Sequence, residues 1–132
     1  TMSQWEESHG FKEARYKALT IGLRKDRSEL YDLINKRVDD MLRRGWVEEV
    51  RSLLDAGYDP GWKPFSGIGY REILRYLQGL ISHEGMIENI KKSTRNYAKR
   101  QFTWFKRDQD MAWYEYPKET DLILKRIGEF LA

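Results

Sequence analysis

The sequence predicts a mainly α fold with two short strands, and three observations carry that reading. After Ser82 the apolar residues recur at helical spacing: Ile87, Ile90, Thr94, Tyr97, Ala98, Gln101, Trp104 and Phe105 share one face at about 100° per residue. Gly45, Gly57 and Gly79 each follow a helical run, as C-terminal stops do. Residues 15–23 alternate with period two, and 111–116 read as a second strand. The chain has 132 residues, 40% hydrophobic and 14% aromatic, enough for one packed domain or a piece of one. Without Cys it has no disulfide, thiolate metal site or cysteine nucleophile. No apolar run approaches a membrane span and the N-terminus does not read as a signal peptide, so a soluble, cytoplasmic protein is expected.

In chain order, Met2 and Trp5 anchor a short helix starting at Ser3 within a polar opening segment. Residues 15–23 form a strand, with Lys17, Leu19, Ile21 and Leu23 on one side. Asp26 and Glu29 have capping-box spacing and open a helix that runs to Arg44 and stops at Gly45. A shorter helix over 47–56 ends at Gly57. Pro60, Pro64 and four glycines make 57–69 a loop. A helix over 70–78 closes at Gly79, and Ser82 caps the long helix, which spans roughly 36 Å. The strand 111–116 is broken by Pro117, and Thr120 caps a last helix over 121–131. Two strands this far apart are marginal alone, so they either pair beside helices or belong to a sheet completed elsewhere.

The charge pattern is uneven. Net charge is +3, yet residues 91–107 hold seven Lys or Arg and no Asp or Glu. Lys92, Arg95, Lys99 and Lys106 form a stripe beside the aromatic face. Like charges within a helix repel by a few tenths of a kcal/mol per pair, so an uncompensated stripe points to an anionic partner, and neighbouring aromatics suit RNA. The same periodicity predicts that Trp104 packs in the core.

Arg37 sits among Leu30, Leu33, Ile34, Val38 and Met41 on an otherwise apolar helix face. A guanidinium there reaches water, pairs with a structural carboxylate, or holds a phosphate or diphosphate. Gly67-Ile68-Gly69 leads into a helix, a pattern that makes either a turn or a phosphate-binding start. No Gly is followed by Lys, so the chain contains no phosphate-binding G-x-x-x-x-G-K-[ST] loop. His9 and His83 lack metal-ligand spacing, and Asp39-Asp40 and Glu48-Glu49 read as solvated charges.

Four blocks in order carry a resemblance: Arg37-Val38-Asp39-Asp40-Met41-Leu42 with Gly45 and Val47-Glu48-Glu49-Val50; Gly67-Ile68-Gly69-Tyr70-Arg71-Glu72; Tyr76-Leu77 with Gly79; and Thr94-Arg95-Asn96-Tyr97-Ala98-Lys99-Arg100-Gln101 with Thr103-Trp104-Phe105. Together they resemble the C-terminal portion of bacterial tRNA dimethylallyltransferases. That resemblance implies a C-terminal fragment of an α/β, P-loop-NTPase-like fold. Residues 1–14 would end an inserted helical region, and 15–132 would complete the core and contact tRNA. It implies transfer of a dimethylallyl group from dimethylallyl diphosphate to N6 of the adenosine 3′ of the tRNA anticodon. The complete enzyme would use Mg2+ and be a monomer, while this fragment would bind no cofactor and be inactive alone. Arg37 would contact the diphosphate. The anticodon stem-loop would meet Ser66, Gly67, Ile68, Gly69, Tyr70 and Arg71, and on the long helix Thr94, Arg95, Tyr97, Lys99, Arg100 and Gln101. Ser66 stands where the family commonly has Gln. The alternatives are a stand-alone helical RNA-binding module and an interaction domain that docks an acidic protein.

Overall fold

In a computed structural model, residues 17–132 are described. The expected helix at Ser3, the 1–14 segment, His9 and the first two residues of the expected strand lie outside them. The described chain forms two compact units, one of residues 25–107 and one joining 17–24 to 108–132.

The first unit is helical. Helix α1 (Arg27–Arg43) begins where the Asp26 side chain accepts the Ser28 and Glu29 backbone N–H groups. These hydrogen bonds hold the Asp26 carboxyl below its usual range, that from the Ser28 hydroxyl contributing most. Helix α2 (Trp46–Asp55) follows Gly45, whose φ of 95° suits a residue without Cβ. The loop after α2 contains one 3-10 turn (Lys63–Ser66), then come α3 (Tyr70–Leu77) and the long α4 (His83–Phe105). Ser82 caps α4 by accepting the Gly85 N–H. Val38, Trp46, Val47, Val50, Phe65, Ile73, Met86 and Ile90 make the buried core. Val38 and Ile90 come from helix faces that sequence periodicity marks as apolar, whereas Phe65 enters the core from the loop.

The second unit holds strands β1 (Ile21–Arg24) and β2 (Ala112–Glu115), paired in parallel with Ile21 opposite Ala112 and Arg24 opposite Glu115. Among the described residues the strands therefore pair with each other. The first strand is shorter than its alternation suggests, because ladder length is set by the partner. Gly22 admits the Trp113 ring: a Cβ there would come within 2.6 Å of it. Helix α5 (Thr120–Leu131) packs on β2 but buries no residue completely. Its N-cap is Glu119 rather than Thr120, whose hydroxyl instead donates to the Pro117 carbonyl. Among the described residues, no helix is long and apolar enough to cross a membrane.

Candidate nucleic-acid interface

Two interhelical contacts hold α4 to α1. Lys91 pairs with Asp39 at 2.7 Å, and Arg95 donates to the Asn35 side-chain oxygen at 2.7 Å. Asp39 is thus not the solvated charge expected of it, and Arg95 is a half-buried tether within the predicted basic stripe. Thr94, also half-buried, donates its hydroxyl back to the Ile90 carbonyl. Beyond Arg95 no residue of α4 is buried. Tyr97 is 49% exposed, Phe105 44% and Trp104 71%, and Gln101 is exposed as well. This overturns the expectation of a core Trp104. The apolar period continues along the helix, but within its unit the helix outruns the elements that could cover it.

The uncovered end forms a groove of about 500 Å3 lined by Asn96, Lys99, Arg100, Thr103, Trp104 and Arg107. Their i, i+3, i+4, i+7 spacing places them on one face. The grouping differs from the predicted stripe: Lys99 stays, while Arg100, Arg107 and the uncharged Asn96, Thr103 and Trp104 join it. The signal for these additions was the acid-free run, which marks the whole helix end rather than one stripe. Among the described residues, Lys92, Lys99, Lys106 and Arg107 have no side-chain hydrogen bond or ion pair. Arg100 lies 5.8 Å from the centre of the Tyr97 ring. Lys106 is the C-cap of α4 and Arg107 follows it, at the end where the helix dipole favours cations by about 0.3–1 kcal/mol each. The dipole does not reach Lys99 and Arg100, so they remain uncompensated.

The 67–71 turn is a structural corner. Gly69 has φ 93°, and a Cβ there would lie 1.9 Å from the Trp46 ring. Its N–H donates to Glu72 at 2.8 Å, so this helix start is occupied by a carboxylate, and the turn reading of the glycine pair prevails over the phosphate reading. Glu72 is 4% exposed and also accepts Arg71 at 2.6 Å and the Ser93 hydroxyl at 3.2 Å. Burial alone would raise its carboxyl, but the Arg71 and Gly69 hydrogen bonds outweigh burial and hold it below the usual range. Tyr70 donates its hydroxyl to Glu49 and packs edge-on against Trp46. The Glu49 bond, with burial, raises the Tyr70 hydroxyl above its ordinary value; Glu49 is exposed, as expected, but has Tyr70 as a partner. Ser66 donates to the Lys63 carbonyl, the Gly67 N–H to Pro64, and Ile68 is half-buried.

Arg37 is exposed, with no hydrogen bond or ion pair among the described residues, and Leu33 beside it is 50% exposed. The core of α1 runs through Val38, while the Leu33/Arg37 side lies open. Among the described residues, no group of three or more His, Asp or Glu could hold a metal ion.

Residues 1–108 match the IPP transferase family. The chain is 47% identical over 98% of its length to tRNA dimethylallyltransferase 1 of Pelobacter propionicus, and 44% identical over 98% to tRNA dimethylallyltransferase of Geobacter metallireducens. It spans 42% of the length of each. Among solved structures it resembles the tRNA isopentenylpyrophosphate transferase of Bacillus halodurans, with TM-score 0.82 and 33% identity over 96% of this chain and 43% of that one. The tRNA delta(2)-isopentenylpyrophosphate transferase of Staphylococcus epidermidis gives TM-score 0.80 and 35% identity over 97% and 43%. From the matched sequence and the shared fold, the chain belongs to the IPP transferase family.

Proposed function

We propose that this chain is the C-terminal, tRNA-contacting part of a tRNA dimethylallyltransferase, and that the open end of α4 meets the anticodon stem-loop. The observation that carries the reading is the groove of Asn96, Lys99, Arg100, Thr103, Trp104 and Arg107. It combines uncompensated cations with an exposed indole, the pair of chemistries by which single-stranded or loop RNA is held: phosphate neutralisation and base stacking. The names of the relatives support the substrate class.

In the complete enzyme, Arg37 is the group of this chain assigned to the diphosphate of dimethylallyl diphosphate. A fork of donors on an exposed, half-apolar helix face suits a diphosphate that sits beside a hydrocarbon group. Magnesium, which the complete enzyme would use with the diphosphate, meets no group of three or more His, Asp or Glu among the described residues. The 132-residue chain alone is expected to be inactive, since prenyl transfer needs a positioned diphosphate and a base near the attacking amine.

The test is fluorescence anisotropy with an anticodon stem-loop across several salt concentrations. Lys99→Ala and Arg100→Ala should each weaken binding and reduce the log–log salt slope by about 0.7–0.9, the value for one lost phosphate contact. Binding like the parent at every salt concentration would remove α4 from the interface.

A further inference from the structure

The two stretches that the family resemblance assigns to RNA, 67–71 and 94–101, are separated in sequence but are tied together by one buried side chain. Glu72 is on α3, and its carboxylate collects three donors: the Gly69 N–H from the turn, the Arg71 guanidinium, and the Ser93 hydroxyl from α4. Ser93 immediately precedes Thr94 and Arg95. Burying a carboxylate costs several kcal/mol unless it is fully hydrogen-bonded, and here both oxygens accept, Oε2 from Gly69 and Oε1 from Arg71 and Ser93. The Arg71 side chain is 53% exposed and bonds Glu72 through Nη2, which leaves other donors of its fork free.

We propose that Glu72 is a positioning residue for RNA: it sets the Arg71 guanidinium and the 67–71 turn at a fixed place relative to the basic helix. The proposal rests on the RNA-binding reading above. It makes a prediction of unusual sign. Removing a negative charge beside an RNA surface should tighten binding by simple electrostatics. If Glu72 instead holds Arg71 in place, removing its charge should weaken binding, and only while Arg71 is present.

The experiment is a double-mutant cycle on the full chain, with anticodon stem-loop affinity read by anisotropy and folding read by circular dichroism. Glu72→Gln is expected to bind about tenfold more weakly, the loss of one charge-assisted contact, and to have no effect in an Arg71→Ala background. Glu72→Gln that binds as tightly as the parent, or that costs the same in both backgrounds, overturns the proposal while Lys99→Ala still reports the interface. If Lys99→Ala and Arg71→Ala both bind like the parent, the RNA reading itself fails, and the proposal with it. Should Glu72→Gln not fold, Ser93→Ala runs the same cycle. It removes only the α4 donor and is expected to give a loss of a few fold that depends on Arg71. A loss independent of Arg71, or none, overturns the proposal.

Discussion

Gly69→Ala should be among the most damaging single-methyl additions in the helical unit. The added Cβ would lie 1.9 Å from Cη2 and 2.1 Å from Cζ2 of Trp46, where carbon contacts normally sit at about 3.5–4 Å. The indole would have to retreat by roughly 1.5–2 Å. It cannot do so freely, because it is buried and packs edge-on against Tyr70 at 5.9 Å. Overpacking of that kind costs about 1–3 kcal/mol. A φ of 93° adds about 1–3 kcal/mol for any residue with a Cβ. The total, roughly 2–6 kcal/mol, is a large part of the 5–15 kcal/mol typical of a folded domain. Gly79 supplies the control, since its φ is 72° but no atom lies within 4 Å of its hypothetical Cβ. Gly79→Ala should therefore lose only the backbone share, about 1–2 kcal/mol. Urea unfolding followed at 222 nm measures both. If Gly69→Ala loses no more than Gly79→Ala, the Trp46 corner is not close-packed and the reasoning is wrong.

Trp104→Ala should change stability by less than about 1 kcal/mol, because the ring is 71% exposed, yet weaken stem-loop binding by about 1–3 kcal/mol through lost stacking; a large fall in urea midpoint with unchanged RNA affinity would contradict this. Arg37→Ala should leave the melting temperature nearly unchanged, as the side chain is exposed, while slowing single-turnover transfer in the complete enzyme by roughly 100–1000-fold. A destabilised protein with unchanged chemistry would return Arg37 to a structural role. The Glu72 carboxyl lies below its usual value in the fold, so its stabilisation is present above the unfolded value of about 4.3 and is lost as pH falls through the folded value. The melting-temperature gap between the parent and Glu72→Gln should accordingly shrink on acidification from pH 7 to pH 3, and a gap that stays constant would show that the charge of Glu72 does not stabilise the fold.

Features controlled by local chemistry could be read directly from the sequence. Asp26, Ser82, Gly45, Gly57 and Gly79 placed four helices to within a residue or two, because caps and positive-φ stops act over a single turn. Features that depend on a distant partner could not be read this way. The ladder of β1 is cut to four residues by what β2 offers, and Glu119 displaces Thr120 as a cap. The partners of Asp39 and Glu49 were not legible, because Lys91 and Tyr70 reach them from 52 and 21 residues away. The aromatic face of α4 was the larger misreading. Periodicity shows that Tyr97, Trp104 and Phe105 share a side of the helix, but not whether protein covers that side. The acid-free charge run coincides with the helix end that the described residues of its unit leave uncovered. Glu72 had no sequence signal beyond its capping-box spacing from Gly69.

The most direct test of the central claim is to map the bound RNA. An anticodon stem-loop carrying 4-thiouridine in its loop would be crosslinked to the protein, and the attached peptides identified by mass spectrometry. The account predicts crosslinks within residues 96–107, with Trp104 among the modified positions, and their loss in the Lys99→Ala, Arg100→Ala double variant. Crosslinks confined to other segments, with residues 96–107 unmodified while the RNA is fully bound, would contradict it.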